Sequence, residues 1–576
     1  MTGADQVFLQ SAARSATYTV ISQLLFRIIT FVMNAIVLRR APPELVGVVN
    51  VRLMLLYTTV LFIAREPFRR ACLAARSSAA ASATSSSDRD DPLSPAANAR
   101  TWLRIKAVAW LCMPVGVAVA GALALVWSKL LEHPSEAISG YDQGVAMYAI
   151  AAVVELLSEP LFVRAQIFLQ PGPRVVAEGL ATLTRCVMVI SLLLWDDSLT
   201  IAECGVAQMA YALVLLSWLI FDAARRSSGQ LRAADVLPFG TGFDKATLTL
   251  AWAFFRQSIL KQLLSEGERY VMTMFNVISF AEQGVFDVVN NLGSLIVRFF
   301  FLPIEDSFYP YFANCLPRAT NLKQALEDER GAESRVALAV SATRMFGLLL
   351  KVMLSIAGLG LAFGPPSASV LLSWYGGQHL ATGTGPLLLQ VFCVYVAMLA
   401  VNGISECFVS AVAPRSHLDR MSGLLVGISV LFIVSSILLT SQVGAVGFVI
   451  ANCMSVGIRL VASSSFIRRY YANTDVDLAA RGDMVARPAT LNKSDVVPRP
   501  LVIMALVVSC STVSAMRWVL DQGWAGEPGL FVDGIYIATA AFCLCVVAGS
   551  VLIADRALVD AARTWYRERR AQQKRL

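Results

Sequence analysis

Charge is scarce in this chain. Asp, Glu, Lys and Arg make up 15% of 576 residues against 56% hydrophobic residues, and the mean hydropathy is +0.62. Soluble domains carry about a quarter charged residues, so a soluble globule is excluded. Histidine is almost missing, at three residues, and the eleven cysteines contain no CxxC pair, so no metal site is expected. Cys112, Cys186, Cys393, Cys453, Cys543 and Cys545 lie inside apolar runs and read as small core hydrophobes, not disulfide partners. There is no nucleophile elbow, no P-loop and no histidine cluster, so neither an enzyme nor a cofactor is expected. The opening MTGADQVFLQSAARS lacks a short apolar core with a cleavage site, so the first long helix is expected to be an uncleaved anchor. The net charge of +8 resides in connections rather than in a basic domain, which argues against nucleic acid as a partner.

What the chain does have is a series of apolar windows, each about 20 residues long, the length that crosses a bilayer as a helix. The pattern predicts an all-α integral membrane protein with about fourteen transmembrane helices. They are expected near 15–38, 44–64, 103–130, 142–169, 174–195, 200–222, 252–275, 282–303, 344–364, 384–411, 421–440, 444–467, 499–519 and 530–554. With the N-terminus cytoplasmic, alternate connections collect the basic residues: Arg65, Arg69, Arg70 and Arg76 in one, Arg225, Arg226 and Arg232 in another, Arg468 and Arg469 in a third. The opposite connections, including WDDSLTIAE and the glycine-rich GPPSASVLLSWYGGQHLATGTGP, are nearly bare of them. The positive-inside rule then places both termini in the cytoplasm, with Arg39 and Arg40 the main dissenters. The Ser/Ala-rich stretch near 77–99 reads as a flexible cytoplasmic linker, and 471–498 as a second polar connection. The sequon at Asn492 falls on the cytoplasmic side and is expected to be unglycosylated. The basic tail DRALVDAARTWYRERRAQQKRL fits an interfacial helix on an anionic leaflet.

A weak internal repeat is visible. QLLFRIITFVM (Gln23 to Met33) aligns without gaps to QLLSEGERYVM (Gln262 to Met272), and GVVNV from Gly47 to GVFDV from Gly284. With six helices on either side of the 224–250 connection, this predicts two six-helix lobes around a central cavity. The expected divisions are an N-lobe over 1–235, a C-lobe over 236–470, and an appended pair of helices with the tail over 499–576. Equal helix parity relates the lobes by an axis along the membrane normal.

Several charges fall at bilayer depth, where one arginine costs roughly 2.5–3.5 kcal/mol on the lenient scale. Arg27 lies midway along the first run, on a stripe with Gln23, Thr30 and Asn34, and Arg52 lies inside the second. Glu155 and Glu159 stand one turn apart beside Pro160, and Glu266, Glu268 and Arg269 flank a glycine. Asp287, Asn290, Ser294 and Arg298 form one polar stripe, and Asn452, Ser455, Arg459 and Ser463 another. Two readings stay open for these groups. Glu155 can tie helices together through Arg185 or Arg27, Arg269 can satisfy Glu266 or Glu268 locally, and Arg65, Arg298 and Lys351 can snorkel. Alternatively the ensemble lines one hydrophilic, net-cationic chamber, where arginine forks suit a diphosphate and the neutral polar groups suit sugar hydroxyls. A polyprenyl tail would stay in lipid.

FRIITFVMNAIVLRR, ELVGVVNVRLMLLYTTVLFIAREPFRRACL, KQLLSEGERYVMTMFNV, EQGVFDVVNNLGSLIVRFFFLPIEDSFYPYFA, VNGISECF and GFVIANCMSVGIRL resemble the eukaryotic Rft family. The resemblance implies a multi-pass endoplasmic-reticulum protein with fourteen helices and the two-lobed fold of the MATE/oligosaccharidyl-lipid exporter superfamily. It implies a role in N-glycosylation, passing mannose-rich dolichyl-diphosphate oligosaccharide from the cytoplasmic to the lumenal leaflet. By position it marks Arg39, Arg65, Arg69, Arg298 and Arg459, with Glu266 and Glu268 as an acidic pair. Combined with the charge census, the expected diphosphate- and glycan-binding set is Arg27, Arg39, Arg52, Arg65, Arg298 and Arg459. Gln23, Asn34, Glu155, Glu159, Glu266, Glu268, Asn290 and Asn452 are the cavity residues. The expected partners are the dolichol-linked oligosaccharide, the lipid bilayer and other proteins of the glycosylation pathway. Competing readings are a non-transporting accessory protein that holds the lipid or a glycosyltransferase, and an ion-coupled exporter of small cations using Glu155, Glu159 and Glu266. Arginine excess repels cations and weighs against the exporter. A membrane glycosyltransferase is more distant, lacking a large lumenal acidic loop.

Overall fold

A computed structural model of the protein describes residues 28–29, 31–85, 95–134, 140–168, 172–195, 199–226, 236–238, 242–275, 277–322, 333–472, 496–523 and 530–554. Among these every regular element is helical. Residues 31–38 are helical, followed by α1 (Pro43–Val46), a π-helical segment π1 (Gly47–Leu53) and α2 (Met54–Ser85) without interruption. Then come α3 (Pro95–Trp110), α4 (Cys112–Lys129), α5 (Tyr141–Leu156), α6 (Glu159–Ile167), α7 (Gly172–Trp195), α8 (Ile201–Arg226), α9 (Lys245–Ser265) and α10 (Gly267–Phe275). The second half holds α11 (Phe280–Ile296), π2 (Val297–Phe301), α12 (Leu302–Cys315), α13 (Glu333–Gly376), α14 (Gln378–Ala381), α15 (Gly385–Val412), α16 (Arg415–Val443), α17 (Val446–Tyr470), α18 (Pro500–Gly523) and α19 (Leu530–Ala554).

Twelve helices among the described residues are long and apolar enough to cross a membrane. The span expected at 15–38 falls mostly outside the described residues. The one expected at 252–275 is divided at Glu266 into α9 and α10, because the glycine that follows opens a new helix. The proline- and glycine-rich stretch expected as a connection after residue 364 instead continues α13 through Pro365 and Pro366 to Gly376. Proline is tolerated inside apolar spans, where neighbouring helices satisfy the freed carbonyls. The Ser/Ala stretch near 77–99 is helical as far as Ser85 and again from Pro95, in keeping with the high helix propensity of alanine. Asn492 and the basic tail lie outside the described residues.

The chain forms two compact units, Met1–Gly284 and Val285–Leu576. The first therefore includes α9 and α10, beyond the division expected at residue 235, because α9 packs along α2. In this unit α2 and α5 are the inner helices: 67% of the apolar stretch is buried in both Pro43–Arg76 and Tyr141–Ile167, against 22% in Arg174–Trp195. Lipid tails are as apolar as leucine, so burial itself does not hold these helices together; close packing does. Gly47 and Gly284 illustrate it. A Cβ on Gly47 would overlap the carbonyl of Phe280, and one on Gly284 the carbonyl of Pro43, so the backbones of 43–47 and 280–284 touch at the two repeat-related glycines.

In the second unit α15 is the inner helix, packed against α12, α13 and α17. Phe312, Phe346, Phe408 and Tyr470 form an aromatic core at its end, with Phe346 stacked on Phe408 at 4.2 Å between centroids. The helices α18 and α19 pair with each other and lean on α13 through Val370, Val513, Leu520, Tyr536 and Cys543.

Candidate functional site

The main charged cluster of the first unit is built where α5 gives way to α6. Leu157 and Ser158 interrupt the helix there, and Pro160 starts the next one without needing an amide donor. This sets Glu155 and Glu159 one turn apart on consecutive helices. Arg65 and Arg69 are likewise one turn apart on α2, so the two ladders meet rung to rung. Arg65 donates from Nη1 to Glu155 at 3.1 Å, and Tyr57 donates its hydroxyl proton to the other Glu155 oxygen. Arg69 grips Glu159 with two parallel bonds of 2.6 Å from Nε and Nη2. Glu155 therefore pairs with Arg65 rather than with Arg185; Arg27, the other partner the sequence allowed, lies outside the described residues. Arg185 instead reaches Gln208 at 3.1 Å and lies over the Tyr211 ring.

A third arginine, Arg174 at the start of α7, pairs with Glu178. Its guanidinium lies 4.0 Å from the centroid of Phe162, and that of Arg69 lies 4.5 Å from the same ring. Arg65, Glu155, Ser158, Glu159, Phe162, Arg174 and Glu178 enclose a void of about 10 Å³, room for a single water.

Arg52 is placed otherwise than expected. It is completely buried on π1, donating to the Glu132 carbonyl beyond α4 and to the Thr273 carbonyl in α10 at 3.2 Å, with Phe280 4.7 Å away. Trp127 donates its indole proton to the Arg52 carbonyl at 3.0 Å. The Thr273 carbonyl, in the last turn of α10, carries partial negative charge, so the guanidinium ties that helix end to the connection after α4 inside the unit. Of the other expected residues in this unit, Asn34 and Arg39 are exposed, with Cys186 pointing its thiol at Asn34 at 4.0 Å. Glu266 takes Arg269 at 3.2 Å, the local pairing, and Glu268 is half-buried. Gln23 and Arg27 lie outside the described residues.

The second unit carries a smaller charged group. Arg459 on α17 holds Glu406 on α15 through bonds of 2.7 and 2.5 Å. Glu305 on α12 lies against Gly403, where a Cβ would collide with its carboxylate, and its carbonyl accepts from the Cys407 thiol at 3.4 Å. Asn290 and Asn452 are half-buried, and Arg298 is exposed on π2. Lys351, expected to snorkel, is buried on α13, and Asp287 is buried on α11 with Asn291 donating to it at 3.0 Å. This unit also contains a cavity of about 790 Å³ with an almost wholly apolar wall, which includes Leu292, Phe363, Phe392 and Tyr536.

Sequence reasoning missed Tyr57, Phe162, Glu178, Glu305 and Glu406. The usable signal was Glu406, a lone acid in the apolar run VNGISECFV, which an arginine in a neighbouring span must answer. Among the described residues no group of three or more His, Cys, Asp or Glu could hold a metal, and all eleven cysteines are free thiols.

Comparison with known proteins agrees with this architecture. The chain is 36% identical to the Man(5)GlcNAc(2)-PP-dolichol translocation protein RFT1 of Xenopus tropicalis, over 97% of this chain and 98% of that one. It is 31% identical to the protein of the same description from Drosophila melanogaster, over 81% and 87%. Among solved structures, the lipid II flippase MurJ in an inward closed conformation matches with a TM-score of 0.56 at 9% identity, covering 94% of this chain and 100% of that one. An inward-facing MATE-family transporter of the MOP superfamily matches with a TM-score of 0.50 at 12% identity, covering 78% and 95%. At such identities these neighbours establish the fold alone. Because the Rft protein family model matches residues 11–564, nearly the whole chain, the protein belongs to the Rft family.

Proposed function

We propose that this protein carries a mannose-rich dolichyl-diphosphate oligosaccharide from the cytoplasmic to the lumenal leaflet of the endoplasmic-reticulum membrane, with both termini in the cytoplasm. The observation that carries the reading is the near-full-length likeness to relatives described as Man(5)GlcNAc(2)-PP-dolichol translocation proteins. The chemistry of the chain supports it. Arginines on membrane-spanning helices offer forked donors to a diphosphate, and half-buried Asn290 and Asn452 offer partners to sugar hydroxyls. The protein acts without making or breaking covalent bonds and without a cofactor. Arg27, Arg39, Arg65, Arg298 and Arg459 supply the positive charge that meets the head group, while Arg52 serves the integrity of the first unit.

The reading is tested by replacing the protein with variants in cells that depend on it. Alanine at Arg27 or at Arg459 is expected to abolish support of N-glycosylation while leaving the protein in the membrane. Unchanged glycosylation with both arginines removed would overturn it.

A further inference from the structure

Two arginines of the first unit, Arg65 and Arg174, line one small void, a third, Arg69, grips the Glu159 that also lines it, and each is already answered by a carboxylate: Glu155, Glu178 and Glu159 in turn. We infer that this cluster is a diphosphate-binding subsite held in its empty state by those three glutamates, which occupy the places of the phosphate oxygens until the ligand displaces them. The inference rests on the function proposed above and assigns Arg69, Arg174 and Phe162 to the recognition of the diphosphate.

Three features carry it. Arg69 meets Glu159 fork to fork at 2.6 Å, the geometry in which an arginine also takes a phosphate, so one acceptor can substitute for the other without moving the guanidinium. Phe162 stacks against both Arg69 and Arg174, fixing the planes of two forks that would otherwise swing away when their carboxylates leave. The exposure is graded: the side chain of Glu159 is 5% exposed, Glu155 9%, Arg65 23%, Arg174 24% and Glu178 43%. The outer pair, Arg174 with Glu178, is the first that an incoming anion meets, and the inner pairs follow. A void of about 10 Å³ is too small for a phosphoryl group, so binding requires the carboxylates to swing aside. A diphosphate has more acceptor oxygens and more charge than any single carboxylate, so it can answer several guanidiniums at once.

This arrangement is self-competing, and the sign of its response differs from that of a purely structural ion-pair network. Inorganic pyrophosphate binding to the full-length protein in nanodiscs tests it. Glu155→Gln with Glu159→Gln keeps side-chain volume and removes the competing charge. Pyrophosphate affinity is expected to rise about tenfold, the factor gained when a competent state populated near one tenth becomes dominant. Adding Arg69→Gln is expected to remove that gain, and Glu155→Asp with Glu159→Asp to return affinity to the wild-type level. Should the inner variant fail to fold, Glu178→Gln at the exposed outer pair gives the same sign, a gain of about threefold in proportion to its single arginine. Affinity equal to or below wild type in the glutamine variants overturns the inference. Such a result leaves the proposed function standing, because lipid movement by the wild-type protein is measured separately.

Discussion

The two units treat intramembrane charge differently. In the first, Arg69 and Glu159 are 15% and 5% exposed and locked by two parallel bonds. In the second, Arg459 and Glu406 make the same fork at 31% and 26% exposure. The first cluster surrounds a void that admits about one water, whereas the roomy cavity of the second unit is apolar. Directed, charge-assisted bonds draw a polar site shut when it is empty. A hydrocarbon wall has no such bonds and stays open. The difference teaches that an arginine's partner, more than its depth, decides whether it is available to a ligand.

The contrast is sharpest for Arg69→Ala. The change strands Glu159 in a buried position, and a loss of about 3–5 kcal/mol is expected, read as a lowered unfolding midpoint of the protein in nanodiscs. Arg459→Ala is expected to cost only about 1 kcal/mol by the same measurement, since the Glu406 carboxylate left behind is 26% exposed rather than enclosed. Equal losses at the two sites would show that the two ion pairs are equally enclosed. Between these lies Arg52→Met, which fills the same space but leaves the Glu132 and Thr273 carbonyls unanswered, for about 1–3 kcal/mol. Hydrogen exchange around Thr273 should quicken while the Arg459 region stays unchanged.

The smallest effect is expected at Asp244, the N-cap of α9. Its carboxylate accepts from the backbone amide and hydroxyl of Thr247 and from Arg104 at 3.0 Å, which hold it below the ordinary carboxylate range, the Thr247 hydroxyl most of all. A depressed carboxylate stabilises the folded state above its unfolded-state pKa, and the contribution is lost as pH falls through the lower folded value. Protection factors at Thr247 and Leu248, with the intrinsic pH dependence of exchange divided out, should therefore fall on acidification below about pH 4, and Asp244→Asn should flatten that response.

Much of this was legible in the sequence. Hydropathy located most of the spans, because a bilayer demands apolar length and little else. The one-turn spacing of Glu155 and Glu159 announced a shared face, and the same spacing in Arg65 and Arg69 held the matching half of the pattern. The identity of the partners was not readable, since which helix faces α5 is decided by packing between spans. Arg52 deceived for a related reason: its depth was plain, but the backbone carbonyls that receive it leave no trace in side-chain composition. Pro365 and Pro366 looked like a helix stop, yet the surrounding helices let α13 run on.

Purified protein in vesicles carrying labelled Man(5)GlcNAc(2)-PP-dolichol gives the most direct test of the central claim. Labelled lipid is expected to reach the opposite leaflet faster than in protein-free vesicles, and Arg65→Ala to slow this movement in the same preparation. Lipid held by the protein with no transbilayer movement above the protein-free rate would contradict it.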